Sequence, residues 1–175
     1  MKKLLIIGFI FTTLFSCGQK KSSEAKVENK EEKSNAPVSS KITAKHIKIP
    51  NSNLYIIPPP GFAANATTGT ITTGQQHADI LIMKIIAGTT PEKIFSELKA
   101  QADKDYPGSW KQNSISVDGH MATIYQLKNI AGGQYYFTFN DGHTDEMIIA
   151  NFEESEATTG KQMYEALKTV VVENN

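Results

Sequence analysis

From Trp110 to Glu153 the chain alternates strand-forming runs with tight-turn signals, and this pattern restricts its possible folds more than any other feature. Trp110–Val117, His120–Asn129, Gln134–Asn140 and Thr144–Glu153 each read as a strand. Asp118-Gly119 and Asp141-Gly142 are hairpin-turn pairs, because such turns need left-handed backbone that aspartate tolerates and glycine adopts freely. Ala131-Gly132-Gly133 reads as a third turn. Four strands joined by short turns form an antiparallel meander. Tyr135, Phe137 and Phe139 load one face of it, and Met147-Ile148-Ile149 is apolar on both.

The elements upstream complete the layout. Ile47–Ile49 and Leu54–Ile57 read as short extended pieces leading into Pro58-Pro59-Pro60-Gly61-Phe62. Three prolines donate nothing to a ladder, so this segment belongs on an edge or outside the sheet. Ala63–Gly74, rich in Thr, Gly and Ala, reads as a loop or a loosely paired hairpin arm. Ala78–Ile86 is the strongest strand; both its faces are apolar, which predicts a position inside a sheet covered on both sides. Thr90 caps a helix with Pro91 at its first position, and Phe95, Leu98, Ala102 and Tyr106 form its buried stripe. Ser155 caps a last helix carrying Met163, Leu167 and Val170 or Val171 inward, and Gly160 argues that this helix starts near Lys161. The expectation is an α+β domain, a mostly antiparallel sheet with two main helices in a layered sandwich.

The order of Pro59-Pro60-Gly61-Phe62, the aliphatic strand Ala78–Ile86, a helix, Val117-Asp118-Gly119-His120, an aromatic strand and a last helix after Ser155-Glu156 resembles the PsbP/DcrB-like α/β sandwich superfamily. The likeness covers roughly Lys45 to Val172. It implies that fold, and roles such as periplasmic lipoprotein or accessory subunit of a larger complex. It transfers no functional residue.

The N-terminus carries an address. Lys2-Lys3 precedes the apolar run Leu4–Phe15, which is shorter than the roughly twenty residues a spanning helix needs. Leu14-Phe15-Ser16-Cys17 resembles a bacterial lipobox of the Bacteroidetes type of lipoprotein. That resemblance implies a signal peptide over residues 1–16, removed before Cys17, with diacylglycerol on the Cys17 thiol and an acyl chain on the new amino group. Several acyl chains anchor stably where one does not, at about 0.8 kcal/mol per buried methylene. Gly18 follows the cysteine, which by analogy favours the outer membrane, and Gln19-Lys20-Lys21 favour its periplasmic face over the cell surface. Residues 17–44 then form a tether with six lysines, four glutamates and five serines after the cysteine, too polar to order itself. The folded domain spans residues 45–173.

Composition narrows the chemistry. The eighteen lysines and eighteen acids cancel, which excludes a polycation for nucleic acid, and there is no arginine for bidentate phosphate recognition. The single cysteine excludes an internal disulfide and a multi-cysteine metal centre. No Gly-x-Ser-x-Gly, nucleotide-binding glycine loop, His-Glu-x-x-His or dinucleotide fingerprint occurs, so neither a nucleotide nor a motif-borne active site is expected. One constellation stands out. Alternate turns of a meander share one end of the sheet, which brings Asp118, His120, Asp141, His143 and Asp145 together, beside Glu146. Imidazoles and carboxylates there would suit a divalent metal such as zinc, manganese or calcium. Ordinary turn chemistry is the simpler explanation of the aspartates, because the spacing matches no standard ligand motif. Trp110, Tyr125, Tyr135 and Tyr136 read as core, or as the lining of a groove on a sheet face the helices leave open.

Three readings follow. The first is an envelope lipoprotein acting as a non-catalytic binding or accessory module for a protein partner. The second is a metal- or small-ligand-binding periplasmic protein using the turn cluster. The third is an enzyme without a recognisable motif.

Overall fold

The computed structural model describes residues 42–74, 77–129, 132–142, 144–153, 155 and 157–173. The expected signal peptide, Cys17, the expected tether up to residue 41 and His143 lie outside the described residues.

The meander forms as its turns dictate. β6 (Trp110–Val117) and β7 (His120–Asn129) pair with Val117 opposite His120, leaving a two-residue turn with Asp118 at φ 53° and Gly119 at φ 79°. Two consecutive positive φ values match the twist of the flanking strands. β8 (Gly132–Phe139) and β9 (Glu146–Glu153) complete the run. β9 then pairs with β5 (Ala78–Lys84), and a hairpin of β3 (Ala63–Asn65) and β4 (Thr70–Thr72) extends the far side. The result is a seven-stranded, wholly antiparallel sheet in the order β3-β4-β5-β9-β8-β7-β6. The expected α+β architecture, mostly antiparallel with two main helices, is the one observed.

A second sheet was not foreseen. β1 (Ile47–Lys48), β2 (Leu54–Ile56) and β10 (Val171–Val172) form a three-stranded antiparallel sheet. The inner stripe expected to reach Val170 or Val171 stops short, because α2 (Ala157–Leu167) ends earlier and Val171–Val172 beyond it becomes a strand. Leu54 and Ile56 of the small sheet and Ile49 of the β1–β2 loop, with Met163, Leu167 and Val170, cover the inner face of the large sheet. That core holds Ile71, Ile80, Ile115, Val117, Ile124, Phe137, Phe139 and Ile148.

Glycines read as breakers prove to be packing residues. Gly132 and Gly133 pair with Asn129 and Lys128 inside the ladder, so β8 starts earlier than expected. Gly160 lies inside α2, not before it. The cause is Phe152: a Cβ on Gly133 would stand 2.3 Å from the Phe152 ring, and one on Gly160 would stand 2.6 Å from it. Closeness to one aromatic ring outweighs the cost of about 1 kcal/mol for a helical glycine.

The outer face is covered only in part. α1 (Pro91–Asp105), capped by Thr90 as expected, buries Phe95 and Ala102. Phe95 stacks on Tyr125 at 3.9 Å between ring centroids, with Tyr136 at 5.7 Å and Trp110 at 6.4 Å. These rings belong to β6, β7 and β8, and the sheet beyond them lacks such a cover. β5 is therefore internal, as its apolar run predicts, but not buried on both sides: Ala78 and Ile80 are, while Met83 is 39% exposed. Tyr106, expected on the inner stripe of α1, is its exposed C-cap.

Candidate functional site

The uncovered part of the outer face is built from polar side chains in register. Thr72, Asp79, Asn151 and Gln134 stand opposite one another on β4, β5, β9 and β8. They are joined in one direction. The Tyr136 hydroxyl donates to Gln134 Oε1 at 2.8 Å, Gln134 Nε2 donates to Asn151 Oδ1 at 2.8 Å, and Asn151 Nδ2 donates to Asp79 Oδ1 at 2.8 Å. Burial pushes the Tyr136 hydroxyl above its ordinary range, which keeps the head of this chain a donor. The line ends on a carboxylate, which only accepts, so the orientation of both amides is fixed by their neighbours.

The line borders an open groove of about 350 Å³ lined by Thr68, Thr70, Thr72, His77, Ala78, Asp79 and Asn151. Thr72 Oγ1 donates to the Ala78 carbonyl at 3.1 Å, and the Thr68 and Thr70 hydroxyls share a hydrogen bond of 2.8 Å. Asn65 Oδ1 accepts from the backbone N–H groups of Thr67 and Thr68, which shapes the β3–β4 turn that carries these threonines. At the rim His77 Nδ1 lies 3.4 Å from Glu153 Oε1, an exposed pair that contributes little stability.

The turn cluster is gathered in part. His120 Nδ1 and Asp141 Oδ2 stand 2.6 Å apart, so alternate turns do share one end of the sheet. The His120 ring also packs edge-on against Phe139. Asp118 occupies its turn position, and the Asp145 carbonyl accepts from the Ile85 N–H at 2.7 Å. Among the described residues no three His, Cys, Asp or Glu side chains stand together as a metal site. Glu146, expected beside this cluster, turns inward instead. It is 4% exposed, takes the Asn53 N–H at 3.3 Å, lies 3.8 Å from Lys84 Nζ, and so ties the β1–β2 loop to the large sheet.

Other expectations resolve into packing. Trp110, Tyr125 and Tyr136 form the aromatic seat of α1, while Tyr135 faces the opposite side against Phe152 and Tyr164. His46 is a half-buried strap: Nδ1 accepts from the Thr43 N–H and Nε2 donates to the Thr169 carbonyl. Sequence reading missed the groove residues. The signal was present, because Asp79 and Asn151 each interrupt an apolar strand, and the two stand directly opposite in the ladder.

No protein-family model matches the chain, and no curated protein matches it. Among solved structures it is similar to the solution structure of cyanobacterial PsbP (CyanoP) from Synechocystis sp. PCC 6803, with a TM-score of 0.43 and 9% sequence identity. The match covers 69% of this chain and 87% of that one. A likeness this remote assigns no residue and no ligand.

Proposed function

We propose that this chain is a lipid-anchored protein of the bacterial envelope whose folded domain is a non-catalytic binding or accessory module. The observation that carries the module reading is the unequal cover of one sheet face. Aromatic rings and α1 close one half, and the other half presents hydrogen-bonded side chains around an open groove. Groups already held by one another are arranged for recognition rather than for proton transfer.

The anchor rests on the lipobox resemblance at Leu14–Cys17, with attachment to the periplasmic face of the outer membrane. Among the described residues no helix is long and apolar enough to cross a membrane. Cys17→Ser abolishes acylation in this reading, and metabolic labelling with a fatty-acid analogue then gives an unlabelled protein. Equal labelling of the variant removes the anchor. For the module, a photo-cross-linking residue in place of Thr70 captures a ligand or partner in intact envelopes, whereas one in place of Lys111 on the far edge does not. Equal capture from both positions removes the assignment.

A second reading keeps the His120–Asp141 pair as part of a divalent-metal site with Asp118, His143 and Asp145. Localised amide shifts around these residues on zinc addition, lost in His120→Ala, would raise it above the groove.

A further inference from the structure

The groove's side chains select among ligand chemistries. Asn151 Nδ2 carries two hydrogens, and one is committed to Asp79 Oδ1. The second is available to a ligand acceptor. Asp79 Oδ2, beside it, accepts from a ligand donor. The Asp79–Asn151 pair therefore offers one acceptor and one donor side by side, and the hydrogen-bonded line from Tyr136 holds both in place.

An anion meets the Asp79 charge, and among the described residues no lysine lines the groove to offset it. An ammonium satisfies Asp79 but has no lone pair for the Asn151 N–H. A hydroxyl both donates and accepts, and two neighbouring hydroxyls fill both positions at once. The Thr72 proton is committed to the Ala78 carbonyl and one proton of the Thr68–Thr70 pair to their mutual bond, so the threonine hydroxyls add acceptors and at most one further donor. We infer that the groove over β4, β5 and β9 binds a neutral polyhydroxylated ligand, a saccharide unit, with a vicinal diol seated on Asp79 and Asn151. This inference rests on the module reading and adds the chemical class of the ligand.

The test uses the full chain in detergent and an array of neutral glycans ending in glucose, galactose, mannose or N-acetylglucosamine, with spermidine and inorganic phosphate as charged probes. At least one neutral glycan binds, and Asp79→Asn weakens it by about tenfold or more, the expected loss of one hydrogen bond to a charged acceptor. Thr70→Val, a change of similar shape at a partly exposed position, weakens it by a smaller factor. Saturating spermidine or phosphate leaves glycan binding unchanged. Binding to no glycan on the array, glycan binding indifferent to Asp79→Asn, or competition by either charged probe overturns the inference. Those outcomes leave the module reading to the cross-linking experiment, which does not depend on ligand class.

Discussion

The two halves of the large sheet's outer face are finished by opposite means. Over β6, β7 and β8, Phe95 of α1 seats among Tyr125, Tyr136 and Trp110, and side-chain area removed from water holds the half together. Over β4, β5, β9 and the start of β8, Gln134, Asn151 and Asp79 hydrogen-bond across strands and stay within reach of solvent. The first arrangement stabilises, and the second costs little in stability and leaves hydrogen-bonding capacity for a ligand. Tyr136 joins the two, its ring in the aromatic seat and its hydroxyl at the head of the polar line.

If this division is right, substitutions on the two halves separate stability from binding. Phe95→Ala should have the largest effect, lowering unfolding free energy by about 3–5 kcal/mol in chemical denaturation, as large aromatic deletions in cores do. Gly160→Ala extends the comparison to the inner face. Its new methyl meets the Phe152 ring, and about 1–3 kcal/mol of destabilisation follows even though alanine is the better helix former. A stabilised Gly160→Ala protein would show that the Phe152 ring gives way freely. On the open half, Asp79→Asn should change the denaturation midpoint by no more than about 0.5 kcal/mol equivalent while it weakens ligand binding by about tenfold or more.

The smallest effect lies in the small sheet. Lys48 Nζ bonds Glu173 Oε2 at 2.9 Å, and the Tyr55 hydroxyl donates to Glu173 Oε1 at 3.2 Å. The Lys48 ammonium, with the Tyr55 hydroxyl second, holds the Glu173 carboxyl below its usual 4.5. The same bond to Glu173 holds the Lys48 ammonium above its usual 10.5. The Glu173 contribution is present above pH 4.5 and is lost as pH falls through the lowered value. The Lys48 contribution is complete below pH 10.5 and is lost as pH rises through the raised value. Thermal midpoints of the chain and of Glu173→Gln should differ slightly between these limits and converge in acid. A constant difference at every pH would mean the pair adds nothing.

Sequence pattern made the meander legible because turn chemistry is local: Asp118-Gly119 states both the turn and its register. The cap at Thr90 and the apolar strand read over Ala78–Ile86 were legible because their signals are local too, although the strand ends at Lys84. The small sheet was not, since Ile47–Lys48, Leu54–Ile56 and Val171–Val172 are too short to show a period and gain their identity from one another. Gly132, Gly133 and Gly160 misled because their reason is a tertiary contact, the backbone of Phe152 and Glu153 for Gly132 and the ring of Phe152 for the other two. At the candidate site the order of visibility was reversed. His120 and Asp141 drew notice as ligand-type residues near turns and do meet. The groove's threonines and amides are ordinary strand residues, and only strand pairing turns Thr72, Asp79, Asn151 and Gln134 into a row.

The division of the outer face is tested most directly by amide NMR of the full chain in detergent, titrated with the glycan that binds best on the array. Shifts confined to Thr68–Thr72, Asp79, Gln134 and Asn151, with Phe95 and Tyr125 silent, are the result expected. Shifts centred on the Phe95–Tyr125 half, or on the turn end at His120 and Asp141, would contradict it.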